Sequence, residues 1–188
     1  MEKNRCDWCL KTENMRAYHD NEWGVPVHDD AKHFEFIVLD SNQAGLSWQT
    51  ILNKRDGYRE AFANFNPLKI SQFTDADVER LMLDSGIIRN RLKIKGTIKN
   101  ANAFLAIQRE FGSFDKYIWQ FVNGATIENI RKTMKDVPAT SPESDSMSKD
   151  LKKRGFTFVG STICYAYMQA AGLVNDHLAS CFKNKLVY

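Results

Sequence analysis

Apolar residues recur along this chain at helical spacing. Phe34, Ile37 and Val38 form one stripe, Leu81 and Met82 belong to another, and Ile94, Ile98, Ala101, Phe104, Leu105 and Ile107 line one side of a stretch from about Asn90 to Phe111. Alternation of the strand type is hard to find, so the pattern predicts an all-α protein whose longest helix is that last stretch. Start signals agree: Asp29 or Asp30 precedes the Phe34 helix, Ser47 precedes Trp48, Asn66 is followed by Pro67, and Thr74 has Asp77 three residues on. Ser113, Thr126 and Ser146 mark three more starts, and Gly86, Gly112, Gly155 and Gly172 read as stops. The stretch Lys132 to Ser146, with Pro138, Pro142 and several Ser and Thr, reads as a loop or interlobe connection. Neither a repeat period nor a separating linker is evident, which predicts a single domain over 1–188 built of two helical lobes.

Composition supports that reading. The 188 residues are 43% hydrophobic, enough to fill one core. The chain has no apolar run long enough to cross a bilayer, and its opening MEKNRCDWC is polar, so the expectation is a cytoplasmic protein without a secretory leader or membrane partner. Four cysteines in that setting read as thiols or metal ligands, with Cys164, inside an apolar stretch, as plain packing. A net charge of +3 is too small to establish a nucleic-acid partner, but five basic residues and no acidic one lie between Arg89 and Lys99.

Candidate chemistry lies at both ends. Cys6 and His19 near the start, with His177 and Cys181 at i and i+4 near the end, make a two-cysteine, two-histidine set suited to Zn2+, and on a helix the i, i+4 pair would point both donors to one side. Such a metal would staple the two termini together. Cys9, in Cys-x-x-Cys with Cys6, is a rival donor at this point. The run Ala17 to Pro26 is dense in hydrogen-bonding and aromatic groups without an amphipathic period, and reads as a site-forming loop. In a second run, Leu39 to Trp48, one helix breaks at Gly45 and another starts at Ser47; Asp40 is expected near the end of the first, close to the turn that presents Leu46.

RCDW, AYHDNEWGVP, QAGLSW, DVERLM with SGIIRNR, LKKRGF and TICYAYMQAAGLVNDH occur in an order and at separations that resemble the bacterial 3-methyladenine DNA glycosylase I family, from about Arg5 to Cys181. The resemblance implies a helix-hairpin-helix DNA repair glycosylase, a helical bundle with one structural zinc joining terminal segments of about 1–28 and 155–188. The implied ligands are Cys6, His19, His177 and Cys181, leaving Cys9 out. The hairpin falls at about 75–111, with Gly86 and Ile87 in the turn and Arg89 and Arg91 beside it, where turn amides and basic side chains would meet DNA phosphate. Excision requires the damaged nucleotide to leave the stack. The family's pocket positions fall on Trp8, Tyr18, Trp23 and Trp48, with Trp48 stacking on the cationic base, and Leu46, held at the Gly45 turn, is the apolar wedge. Two positions depart from the family: Asp40 stands where a base-reading glutamate is expected, and Met15 where a pocket tyrosine is common. The implied activity is monofunctional hydrolysis of 3-methyladenine from double-stranded DNA by a monomer, with Asp40, Trp48 and Tyr18 in catalytic roles. The two departures keep open a zinc-stapled damage-binding protein with little excision, or a glycosylase with shifted base preference.

Overall fold

Most helices begin where a polar side chain accepts a hydrogen bond from the first turn, because those backbone N–H groups have no partner inside the helix. In the computed structural model, which describes residues 3–184 and 186, Thr12 accepts from Met15 at the start of α1 (Glu13–Asn21), and Asp29 from Ala31 and Lys32 at the start of α2 (Asp30–Gln43). Ser47 does the same for α3 (Trp48–Leu52), which leads into α4 (Arg55–Ala61). Asn66 caps α5 (Pro67–Ile70), and Asn90 caps α7 (Arg91–Phe111). Thr74 opens α6 (Asp75–Leu83) by donating its N–H and hydroxyl to the Asp77 carboxylate. Ser113 caps α8 (Phe114–Ile118), Ser141 caps α9 (Pro142–Lys153), and α10 spans Ser161–Ala170.

Three expectations about these boundaries need correction. The helix expected after Ser146 starts five residues earlier: Pro142 occupies its first turn, where a missing N–H costs nothing, so the proline is a start signal and not part of the loop. Thr126 opens no helix; it precedes β1 (Ile127–Glu128), which pairs in parallel with β2 (Val174–Asn175), so the mostly helical fold carries a two-residue ladder. The run Ala17 to Pro26 is helical over its first half, inside α1.

Helix α2 is the organising element. Every residue from His33 to Asn42 is buried, as expected of a helix packed on all sides, and it lies against α3, α7, α8 and α10. Phe34 meets Phe104 of α7 edge-on at 4.9 Å, and Phe104 stacks on Phe114 of α8 at 4.3 Å. Each such ring contributes roughly 1.5–3 kcal/mol by burial. One consequence is chemical: the last buried turns of α2 carry Asp40, Ser41 and Asn42 into the interior.

Candidate active site

Six separate segments converge on one cavity of about 290 Å3. Trp8 comes from a 3-10 turn (Asp7–Cys9), Met15 and Tyr18 from α1, Trp23 from just beyond it, Asp40 and Gln43 from α2, Trp48 from the start of α3, and Ala166 and Gln169 from α10. Met134 and Val137, in and just after a second 3-10 turn (Met134–Asp136), complete the lining. Thus all six residues singled out for the pocket meet in one place. Gln43, Gln169, Ala166, Met134 and Val137 were not anticipated. Gln43 stands at i+3 from Asp40, a spacing that could have revealed it; Met134 and Val137 carry no such signal.

The walls are aromatic. Trp8 meets Trp23 at 5.1 Å and Tyr18 at 6.3 Å, and Tyr18 tilts 45° against Trp48 at 5.1 Å. The polar groups among them are incompletely paired. Asp40 is 2% exposed and its Oδ2 has no hydrogen-bond partner among the described residues; the indole Nε1 of Trp48 is buried and equally unpaired. Burial pushes the Asp40 carboxyl well above the usual carboxylate range, and burial followed by proximity to Asp40 raises the Tyr18 phenol likewise. Leaving an acceptor and a donor unmatched costs about 1–3 kcal/mol each.

Beside this cavity lies a closed cluster. The ligating atoms of Cys6, His19, His177 and Cys181 all lie within 4.8 Å of one another, in a fully buried setting. Cys181 Sγ is 3.5 Å from His19 Nε2 and 3.6 Å from His177 Nδ1, and Cys6 Sγ is 3.8 Å from the same Nδ1. The outward ring nitrogens are engaged: His19 Nδ1 with the Asp20 carboxylate at 2.9 Å, and His177 Nε2 with the Trp23 carbonyl at 3.1 Å. Arg5 in turn holds Asp20, whose carboxyl it pulls down to about 2. Contact with Cys6 pulls the Cys181 thiol far down, and the same contact together with burial pushes Cys6 up. Two thiol sulfurs and two oriented imidazoles can hold a metal ion. Cys9 stays outside the group, donating its S–H to the Cys6 carbonyl. One expectation is corrected: His177 and Cys181 lie beyond α10, in the turns that follow β2, so a folded-back chain and not a helix brings the pair together.

The hairpin between α6 and α7 is built by a close approach. A Cβ on Gly57 of α4 would collide with the Gly86 carbonyl, so two glycines let the turn seat against α4. The Asp84 carboxylate takes the Gly86 N–H, and Ile88 N–H donates to the Tyr58 hydroxyl. Ile87 points its side chain into the core, and Arg89 is exposed. The basic stretch is less free than its composition suggested: Arg91 pairs with Glu79, Lys95 with Asp75, and Lys93 is buried. Leu46, by contrast, stands 39% exposed on the turn made by Gly45, whose φ of +77° suits glycine.

A helical scaffold with a hairpin turn ahead of a long helix, and with a deep aromatic cavity floored by a buried acid, has the parts of a base-excising DNA glycosylase of the helix-hairpin-helix class. Residues 8–184 match the methyladenine glycosylase family, and the chain belongs to it. It is 49% identical over 177 residues to DNA-3-methyladenine glycosylase 1 of Escherichia coli K12, covering 94% of this chain and 95% of that protein. The corresponding Haemophilus influenzae enzyme is 48% identical, with 94% and 96% covered. A Staphylococcus aureus 3-methyladenine DNA glycosylase I, whose structure addresses 3-methyladenine recognition, superposes with a TM-score of 0.93 at 36% identity, over 97% of each chain.

Proposed function

We propose that this protein hydrolyses the N-glycosidic bond of 3-methyladenine in duplex DNA and leaves an abasic site without cutting the strand. The observation that carries this reading is an unmatched buried carboxyl, Asp40, in a cavity walled by aromatic rings, Trp48 and Tyr18 among them. A flipped purine offers what such a cavity takes: an exocyclic amino group to donate to Asp40 and a flat face to lie against an aromatic ring. N3-methylation makes the bound nucleobase cationic, which favours stacking on Trp48 and Tyr18 and turns Asp40 toward its ionised form.

The positive charge also makes the base a good leaving group. Its bond to C1′ breaks with the electron pair returning to the ring, so neutral 3-methyladenine departs and water adds to the oxocarbenium-like sugar, releasing a proton. No strong general acid is required, and among the described residues no lysine lines the cavity to form the imine that strand cleavage would use. Leu46, on its exposed turn, is placed to fill the stack, while the amides of Ile87 and Arg89 and the Arg89 side chain are assigned to phosphate.

Zinc is the ion assigned to the Cys6, His19, His177 and Cys181 cluster. Two sulfurs and two nitrogens suit its tetrahedral preference, and the engaged outer ring nitrogens supply the usual supporting contacts. Bound there it supplies a cross-link and no activated water, because four protein ligands close the site. The test is chromatographic measurement of bases released from methylated duplex DNA, repeated with Asp40→Asn and Asp40→Glu. Release of 3-methyladenine that Asn abolishes supports the assignment. Tight DNA binding with no release points to a damage-binding protein, and release of a different base to shifted preference.

A further inference from the structure

Lys93 falls within the basic stretch expected to meet phosphate, yet its side chain runs inward and is only 7% exposed. Its Nζ donates to the Asn42 and Ala44 carbonyls, each at 2.7 Å. Those carbonyls belong to the end of α2, where the last C=O groups lack helical partners and a positive charge is favourable. Between them, the Gln43 carbonyl accepts from Leu46 N–H at 2.6 Å. Lys93 therefore holds the base of the turn that presents Leu46, at carbonyls two and four residues beyond Asp40.

A second path reaches the same residue from the hairpin. Ile88 N–H donates to the Tyr58 hydroxyl at 3.2 Å, and that hydroxyl donates to Asn42 Oδ1 at 3.2 Å. Asn42 Nδ2 then donates to the Val38 carbonyl at 2.8 Å and to Thr97 Oγ at 3.3 Å, and the Thr97 hydroxyl donates to the Lys93 carbonyl at 3.0 Å. Tyr58, Asn42 and Thr97 are all buried. The loop of hydrogen bonds thus runs from the hairpin turn to the last turn of α2 and back to α7. Lys54 adds a tie from the other side, donating to the Ser85 carbonyl at 2.6 Å.

We propose that Lys93, Tyr58 and Asn42 are positioning residues that fix the hairpin's grip on the DNA backbone in register with the Leu46 turn and the Asp40 carboxyl. The proposal rests on the glycosylase reading above. The physical reason is geometric: flipping requires the phosphate anchor, the wedge and the pocket floor to act on one nucleotide, and misplacement by about 1 Å can cost on the order of a hundredfold in rate. A network of buried, mutually satisfied polar groups is stiff because each broken bond leaves an unpaired partner.

The experiment compares the unmodified protein with Tyr58→Phe, Lys93→Met and Lys93→Arg. Four quantities are measured: single-turnover release from methylated duplex, affinity for free 3-methyladenine by tryptophan fluorescence, affinity for a duplex carrying a tetrahydrofuran abasic-site analogue, and the salt slope of binding to undamaged duplex. Tyr58→Phe and Lys93→Met are expected to slow release roughly tenfold or more, the scale of losing buried hydrogen bonds, and to weaken abasic-duplex binding similarly. Free-base affinity should stay within about twofold and the salt slope should not change, with Lys93→Arg restoring much of the loss. A slope reduced by about 0.9 would make Lys93 a direct phosphate contact and overturn the proposal. So would unchanged release, or a loss of free-base affinity equal to the loss of release, which would mean only that the pocket had collapsed. If the unmodified protein released no base, the glycosylase reading would fail by itself. The abasic-duplex affinities would still decide the coupling, which fails if the variants bind that duplex as well as the unmodified protein.

Discussion

Two buried polar regions share one wall of this molecule and treat their hydrogen bonds in opposite ways. Trp23 lines the cavity on one side and sits 4.5 Å from the His177 ring on the other. In the cysteine and histidine corner each group is matched: His19 with Asp20, His177 with the Trp23 carbonyl, Asp20 with Arg5, and Cys6 Sγ with the Leu178 N–H. In the cavity, Asp40 Oδ2 and Trp48 Nε1 have no partner among the described residues. A buried polar group is costly unless paired. The corner spends its donors and acceptors on itself and becomes a rigid support. The cavity leaves the Asp40 carboxyl unmatched, and a purine's amino group can satisfy it.

The sharpest way to break this contrast is to open the closed corner. Cys181→Ala, or stripping the assigned zinc with a chelator, should cost about 3–5 kcal/mol, the scale for breaking a buried ionic cluster, seen as a thermal midpoint lowered by roughly 6–20 °C. Full metal content in Cys181→Ala by elemental analysis would count against the ligand set. The opposite behaviour belongs to Asp40→Asn: release from methylated DNA should fall by about a hundredfold or more, while stability at neutral pH should hold or rise by about 1 kcal/mol.

The pH dependence gives that contrast a sign. In the unfolded chain Asp40 loses its proton near pH 4, whereas burial keeps it protonated to higher pH in the folded state. From about pH 4 upward the folded state binds more protons at this site, so stability must decline with rising pH relative to Asp40→Asn. Parallel denaturant titrations of the two proteins that ran with the same pH slope would contradict it. A smaller effect is expected for Trp48→Phe, which replaces the indole by a smaller stacking face: affinity for free 3-methyladenine should drop about five- to tenfold with no loss of thermal stability. The smallest belongs to Arg91→Gln. Because Arg91 is exposed and already paired with Glu79, binding to undamaged duplex should weaken by less than about threefold at physiological salt.

Local signals carried much of the fold. Caps such as Asp29, Ser47, Asn66 and Ser113 were readable because each accepts from an amide two or three residues away, and Thr74 because its own N–H and hydroxyl meet the Asp77 carboxylate three residues on. The same logic failed at Ser146, where Ser141 and Pro142 gave the true start, and at Thr126, whose segment pairs with residues nearly fifty positions later. In the cavity, the aromatic residues and Asp40 were legible through runs that resemble a known family. Gln169, Met134 and Val137 were not, since nothing near them in the chain marks them as neighbours of Tyr18.

The sequence by itself determined which residue types were available: soft metal donors at the two ends, aromatic residues around Tyr18 and Trp48, and an acid where a longer one is expected. It also determined where helices could start, because capping is local. Only the tertiary structure decided which of these groups are paired. Folding turned Lys93 from an apparent phosphate contact into an internal clamp on α2, brought His177 and Cys181 together through a turn, and left Asp40 and Trp48 unmatched. Whether a buried polar group is satisfied depends on partners brought from elsewhere in the chain, and no stretch of sequence specifies those alone.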